Sequence, residues 1–194
     1  MDTIDAPALD RADMERLAGG QDAALNDLMA RHARPVFQFL CRMLGNEDDA
    51  NDLAQETFVR VYQHRTRFKP GARFTAWLYT IAANLARNHY RWLARHPTVS
   101  LDTESETTGQ SIGEVLLSSE PSPGGAAVAA ERAAVVRAAV AKLPAELREA
   151  VILCEWEDVS AAEAAAILDT TPKAVENRLY RARKLLRDRL NDWL

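Results

Sequence analysis

The chain contains 194 residues, of which 47% are apolar and 27% are charged, and its formal net charge is −4. This length allows one or two small domains, and the composition is typical of a globular protein. No stretch approaches the roughly 20 apolar residues that span a bilayer, and the acidic N-terminus lacks the apolar core of a signal peptide. We therefore predict a cytoplasmic protein that is not inserted into a membrane.

Cysteine and histidine, which hold disulfides and many metals, are sparse, with two and four residues. Cys41 and Cys154 are the only cysteines and lie in apolar contexts, which favours buried free thiols over a disulfide or a metal site. The carboxylates of residues 47–56 have no neighbouring histidine and do not form a calcium loop. Neither a Gly-rich phosphate loop nor a supported catalytic triad is present. We expect no metal, cofactor or small-molecule substrate, and a protein that is not an enzyme.

The apolar periodicity is helical nearly throughout, which predicts an all-α fold made of two small helical domains. The first domain, residues 1–97, contains three predicted helices, at residues 22–44, 46–65 and 74–95. Gly45 suits the end of the first helix, and Asn46 can cap the second. Pro70-Gly71 predicts a turn, and His96-Pro97 ends the third helix.

The second domain follows a change in composition. Residues 98–125 are rich in Ser, Thr, Gly, Pro and acidic residues, which predicts a flexible acidic linker. The C-terminal domain, residues 126–194, contains four predicted helices, at residues 126–141, 144–156, 160–168 and 172 to the end.

Charged residues are segregated along the chain. Residues 44–59 contain five acids and no base, whereas residues 57–101 contain eight bases, three histidines and no acid. Residues 102–131 contain six acids and no base, and residues 170–189 contain seven bases and two acids. Such blocks indicate surfaces for partners of different charge, with merely solvated faces as the alternative.

The last two helices have the pattern of a helix-turn-helix. Ser160 and Glu163 form a predicted capping box, Ala164 and Ala165 allow close helix packing, and Thr171-Pro172 starts a new helix. In this motif the second helix enters the DNA major groove, where Arg and Asn can contact base edges. We predict that its outward side chains bind DNA, and a solvent-exposed surface helix is the alternative.

Two further surfaces are predicted in the N-terminal domain. The third helix combines Asn84, Arg87, Asn88, Arg91 and Arg95 on one face with aromatic residues nearby, which suits single-stranded nucleic acid. The second helix carries an acidic strip around an exposed Val59, which resembles a protein-docking surface. By periodicity alone, that strip could serve solubility.

Three segments together resemble a known family. They are DDANDLAQETFVRVY (48–62), FTAWLYTIAANLARNHYRWLAR (74–95) and LPAELREAVILCEWEDVSAAEAAAILDTTPKAVENRLYRARKLL (143–186). They are similar to regions two and four of bacterial RNA polymerase sigma factors of the extracytoplasmic-function (ECF) group. The resemblance covers about residues 12–190 and implies a factor that binds core RNA polymerase and promoter DNA and opens the strands. It also implies control by an anti-sigma factor.

The resemblance implies three sets of site residues. The polymerase-binding set lies on the second helix and consists of Asp49, Asp52, Gln55, Glu56 and Phe58. The minus-ten set lies on the third helix and the loop before it and consists of Phe68, Lys69, Arg73, Asn84, Arg87, Asn88 and Arg91. The minus-thirty-five set lies on the recognition helix and consists of Thr171, Lys173, Glu176, Asn177, Arg178 and Arg181. The linker would pass through the polymerase cleft.

Two other classes of protein remain as alternatives. An ordinary helix-turn-helix regulator with an N-terminal sensor domain explains the C-terminal residues but not the acid-free block at residues 57–101. The second alternative is a hydrolase or transferase, and the sequence contains no motif that supports it. DNA binding that depends on core polymerase separates the first alternative from a sigma factor.

Overall fold

The computed structural model describes residues 6–69, 71–96 and 123–191. Over these ranges the chain is helical and contains no strand, as the all-α prediction requires. The helices are α1 (Ala6–Ala18), α2 (Ala24–Leu44), α3 (Glu47–Gln63), α4 (Phe74–Arg95), α5 (Pro123–Ala141), α6 (Ala145–Val151), α7 (Ala161–Ile167) and α8 (Pro172–Leu190). None of the described helices is long and apolar enough to cross a membrane.

Local capping signals fix the ends of α2 and α3. Gly45 has a φ of +72°, and its N–H bonds to the carbonyl of Cys41, which closes α2 as predicted. The Asn46 side chain accepts a hydrogen bond from the N–H of Asp49 at 3.0 Å and so caps α3. A short 3-10 helix, Arg65–Arg67, follows α3 and leads into the loop before α4.

Helix α1 was not predicted from the sequence. Its face toward α2 includes two buried carboxylates, Asp10 and Asp13, as well as apolar residues. Arg31 of α2 donates to both carboxylates, and His32 lies 2.8 Å from Asp10. The helix is therefore held partly by ion pairs, which an apolar-periodicity pattern does not register.

The C-terminal half departs from the predicted helices at two places. Helix α5 begins at Pro123, three residues before the predicted start, and most of the predicted linker lies outside the described residues. The predicted helix at residues 144–156 is α6 followed by a π-helical segment, Ile152–Trp156. Both changes leave the helix-turn-helix where it was expected.

The two halves pack against each other. Helix α4 contacts α7, and α2 contacts both the π-helical segment and α5. Buried apolar side chains from both halves belong to one contiguous cluster, which includes Leu78 on one side and Ile167 on the other. The cleft beside this contact is where several predicted site residues meet.

Both cysteines are free and half-buried. Burial raises the pKa of the Cys41 thiol to about 11, with a further contribution from Glu47. The thiol therefore stays protonated near neutral pH. The prediction of free thiols is confirmed, whereas the prediction that they are fully buried is not.

Candidate nucleic-acid and protein-binding surfaces

The predicted nucleic-acid face of α4 is present but partly covered. Asn84, Asn88 and Arg91 are exposed. The amide oxygen of Asn84 accepts a hydrogen bond from Arg87 Nη2 at 2.9 Å. Arg87 itself is only 26% exposed, because its guanidinium also donates to the carbonyl of Ile167 at 3.4 Å and lies 3.9 Å from Glu149. Helix α4 therefore offers amide groups to a ligand, while its central arginine faces the C-terminal half.

The loop before α4 combines an anchored aromatic ring with two exposed cations. The ring of Phe68 is half-buried and lies 5.4 Å from that of Trp77 and 6.3 Å from that of Phe74. Lys69 is exposed. Arg73 is also exposed and donates to the carboxylate of Glu163 in the C-terminal half. The aromatic cluster fixes the base of the loop. The two cations of the loop, Lys69 and Arg73, therefore lie directly before α4.

The helix-turn-helix forms with the predicted caps. The Ser160 hydroxyl accepts from the N–H of Glu163 at 3.2 Å, and the Glu163 carboxylate accepts from the Ser160 N–H at 3.2 Å. Asp169 adopts a φ of +51° in the turn, which is a conformation that Asp tolerates better than most residues. Thr171 then accepts from the N–H of Ala174 at 3.2 Å and starts α8. Thr171 is thus a helix cap, and its hydroxyl is already engaged by the backbone.

Most of the predicted recognition face on α8 is open to solvent. Its exposed members are Lys173, Glu176, Asn177 and Arg181. Lys173 and Glu176 form an exposed ion pair at 3.1 Å, which contributes little to stability. Breaking this ion pair would therefore cost little free energy, so the face can present its donors and acceptors to DNA.

Arg178 does not face outward as the sequence predicted. Its side chain is 20% exposed and lies 3.4 Å from Glu146. It lines a cleft of about 250 Å³ together with Arg87, Arg91 and Glu149. Burial raises the pKa of Glu149, whereas Arg87 and Arg178 lower it. Arg178 is turned away from the open face of α8 because it lies beside Glu146 of α6 and faces a cleft whose opposite wall comes from α4.

The acidic strip on α3 is exposed along most of its length. Asp52 and Gln55 are exposed, and Val59 is exposed among them. Glu56 accepts from Arg60 at 2.8 Å. Asp49 Oδ2 lies 3.2 Å from His89 Nε2 but outside hydrogen-bond geometry. The strip therefore offers carboxylates, one amide and one apolar side chain to a partner.

Phe58 does not belong to that surface. Its side chain is 3% exposed and packs in the apolar cluster, because it lies on the same side of α3 as the buried Ala54 and Val61. The structure thus places Phe58 beneath the strip, where it supports α3 from inside.

Two exposed aromatic residues were absent from the predicted sites. Tyr180 on α8 is 72% exposed, and Trp92 near the end of α4 stacks on His96 at 5.0 Å. Tyr180 follows Glu176 by four residues and so continues the recognition face, which is a signal that helical spacing alone could have provided. Among the described residues, no cluster of three or more His, Cys, Asp or Glu side chains could hold a metal ion.

Comparison with known proteins identifies the family. The profile of sigma-70 region 2 matches residues 28–96, and that of sigma-70 region 4 matches residues 133–186. The ECF RNA polymerase sigma factor SigW of Bacillus subtilis (strain 168) is 30% identical over 180 residues, which cover 92% of this chain and 95% of SigW. The RNA polymerase sigma factor CarQ of Myxococcus xanthus is 37% identical over 179 residues, which cover 92% of this chain and 96% of CarQ.

A solved structure shows the same fold across the chain. The structure of CnrH in complex with the cytosolic domain of CnrY matches with a TM-score of 0.68 and 28% identity. The match covers 95% of this chain and 98% of the matched chain. Both sequence regions, their order and the fold therefore agree, and this chain belongs to the ECF group of the sigma-70 family of RNA polymerase sigma factors.

Proposed function

We propose that this chain is an alternative sigma factor that binds core RNA polymerase, recognises minus-thirty-five and minus-ten promoter elements, and promotes strand opening. One observation carries the proposal. Two separate basic helices, α4 and α8, expose amide and guanidinium groups, while a third helix, α3, carries an exposed acidic strip. A single chain with two nucleic-acid surfaces and one acidic protein-docking surface fits a factor that links a polymerase to DNA.

Each surface has a role that suits its chemistry. The strip formed by Asp49, Asp52, Gln55 and Glu56 docks on a basic surface of core polymerase. The exposed side chains Lys173, Asn177 and Arg181 of α8 contact the minus-thirty-five duplex, where guanidinium and amide groups can form bidentate bonds to base edges.

The minus-ten element is held as a single strand by α4 and the loop before it. The amide of Asn84 both donates and accepts, so it can bind the hydrogen-bonding edge of a flipped base. Lys69, Arg73, Asn88 and Arg91 hold the neighbouring phosphates. Binding the unpaired strand better than the duplex shifts the equilibrium toward open DNA.

We further propose that the chain acts in the cytoplasm, by binding and without catalysis, under control of an anti-sigma factor. The solved complex of CnrH with the cytosolic domain of CnrY supports control by a protein partner. An ordinary helix-turn-helix regulator is the competing function. It would use α8 alone and would leave the α3 strip and the α4 face without a partner.

Transcript mapping with reconstituted polymerase tests the proposal. Core polymerase with and without the full chain is incubated with fragmented host DNA, and the 5′ ends of the products are sequenced. We expect chain-dependent start sites that share two sequence elements. Start sites that are the same with and without the chain would refute the proposed function.

A further inference from the structure

His89 on α4 lies against the acidic strip of α3. Its Nε2 atom is 3.2 Å from Oδ2 of Asp49, the first residue of the strip. That nitrogen is buried and, among the described residues, has no hydrogen-bond partner, because the ring and the carboxylate are not aligned. The proposed polymerase and minus-ten contacts give this nitrogen no role.

The backbones that carry the two side chains are both fixed. The N–H of Asp49 donates to the Asn46 side chain at 3.0 Å in the cap of α3. Next to His89, the hydroxyl of Tyr90 donates to the carbonyl of Met43 near the end of α2. The distance between Asp49 and His89 therefore changes by rotation of the two side chains.

The two side chains differ in their exposure to solvent. His89 is 18% exposed, and its ring stacks on that of Trp92 at 6.4 Å, which in turn stacks on His96 at 5.0 Å. Asp49 is 38% exposed. The ring is therefore held in place, whereas the carboxylate can turn either inward to His89 or outward to a partner.

Asp49 is the charged group that faces the imidazole from a neighbouring helix. No other carboxylate among the described residues lies within 4.0 Å of a ring nitrogen of His89. Along α4, Arg87 and Arg91 flank His89 two residues away on either side, and side chains two residues apart on a helix do not face each other. A charge on the imidazole therefore acts first on Asp49.

Protonation decides whether the two groups bond. A neutral imidazole has one N–H donor and one acceptor nitrogen, whereas the imidazolium ion donates from both nitrogens. When the proton of neutral His89 is on Nδ1, the lone pair of Nε2 faces the carboxylate and offers it no bond. The imidazolium ion would donate a charge-assisted hydrogen bond to Asp49 and offset the negative charge that Asp49 presents to a partner.

Resting on the proposed function, we propose that His89 is a positioning residue for polymerase docking, which leaves Asp49 free to turn outward when neutral and holds it inward when protonated. Binding of this chain to core polymerase is therefore strengthened as pH rises through the range in which imidazole loses its proton. Of the four histidines, His89 is the one within 4.0 Å of a strip carboxylate in the described part of the chain.

Titration of core polymerase with the full chain at about pH 8 and at about pH 6 tests the proposal, because imidazoles titrate in this range whereas carboxylates ordinarily titrate near pH 4. The quantity compared is the ratio of the dissociation constant at the lower pH to that at the higher pH. His89→Gln removes the titrating ring and keeps a polar side chain. His96→Gln is the matched control, because it makes the same change at the exposed residue that follows α4 and lies outside the strip.

We expect the ratio to be about threefold larger for the wild type than for His89→Gln, which is the size expected of one partly exposed ion pair. The control His96→Gln should keep the wild-type ratio. Asp49→Asn should bind more weakly at the higher pH and should give the same small ratio as His89→Gln, since either substitution removes one member of the pair. Adding His89→Gln to Asp49→Asn should then leave the ratio unchanged.

An equal ratio for the wild type and a folded His89→Gln protein would overturn the proposal. If His89→Gln does not fold, Asp49→Asn decides in the same titration, because Asp49 is half-exposed and its backbone N–H keeps the bond to Asn46. A wild-type ratio in Asp49→Asn would overturn the proposal as well.

Binding by the wild type separates failure of this proposal from failure of the proposed function. A wild-type chain that binds core polymerase and initiates at the mapped start sites, but has the same ratio as His89→Gln, would refute the role of His89 alone. A wild-type chain that does not bind core polymerase at either pH would refute the proposed function on which that role depends.

Discussion

Asn84→Ala is the substitution that most specifically tests strand opening. The Asn84 side chain is exposed, and its amide oxygen accepts one hydrogen bond from Arg87 at 2.9 Å. Exposed substitutions usually change the free energy of unfolding by less than about 0.5 kcal/mol. We therefore expect the variant to fold normally and to bind core polymerase normally.

The expected loss appears when the promoter opens. The amide can form two hydrogen bonds with a flipped base, each contributing about 0.5–1.5 kcal/mol, so the variant should lose about 1–3 kcal/mol of open-complex stability. This corresponds to a decrease of about 5- to 150-fold in the equilibrium constant for opening. Initial binding to the closed promoter should change little, because the base is still paired at that stage.

Permanganate reactivity of unpaired thymines measures the open fraction directly. Asn26→Ala is the matched control, since Asn26 is an exposed asparagine on α2 and belongs to none of the proposed binding surfaces. The control should open the promoter like the wild type. Normal opening by a stably folded Asn84→Ala holoenzyme would refute the role of Asn84, and a joint loss of thermal stability and core binding would show that the residue is structural.

Three further predictions concern the other surfaces. Asp52→Lys should weaken binding to core polymerase in a pull-down titration, whereas the exposed control Glu15→Lys should not. Equal affinities of the two variants would show that the acidic strip does not bind polymerase. Arg181→Ala should lower the affinity of the holoenzyme for the minus-thirty-five element by about 1–3 kcal/mol, with relaxed preference at one position if Arg181 contacts a base, or with a shallower salt slope if it contacts a phosphate. The exposed control Arg187→Ala should retain wild-type affinity, and normal affinity of the Arg181→Ala protein would exclude Arg181 from the DNA contact. Finally, hydrogen bonds from Arg73 and Ser160 lower the pKa of Glu163 below its ordinary value of 4.5. This lowered pKa adds stability that is complete above the unfolded-state pKa and is lost as pH falls through the folded-state pKa. Glu163→Gln should therefore show a smaller fall in Tm on acidification than the wild type, and identical acid-side curves would contradict the assignment.

The sequence predicted those elements whose ends depend on local chemistry. Helix α4 has the predicted bounds, because a buried apolar face runs from Phe74 to Ala86 and a Pro follows its last turn. Asn46, Ser160 and Thr171 form the predicted caps, since a side chain and a nearby N–H decide each of them. Such interactions span three or four residues and are therefore visible in sequence.

Features that depend on distant partners were missed. Helix α1 buries Asp10 and Asp13 against Arg31 of α2, so its pattern is polar where a core face is usually apolar. Arg178 points into a cleft whose other wall comes from α4. Periodicity identifies the faces of a helix, but it does not identify which long-range partner covers each face.

The dependence of DNA binding on core polymerase tests the central claim most directly. The measurement is the anisotropy of a labelled promoter fragment with the full chain alone, with core polymerase alone, and with both together, at one salt concentration. We expect only the mixture to bind the promoter specifically. Tight, specific binding by the free chain, unchanged when core polymerase is added, would contradict this account and would instead identify an ordinary helix-turn-helix regulator.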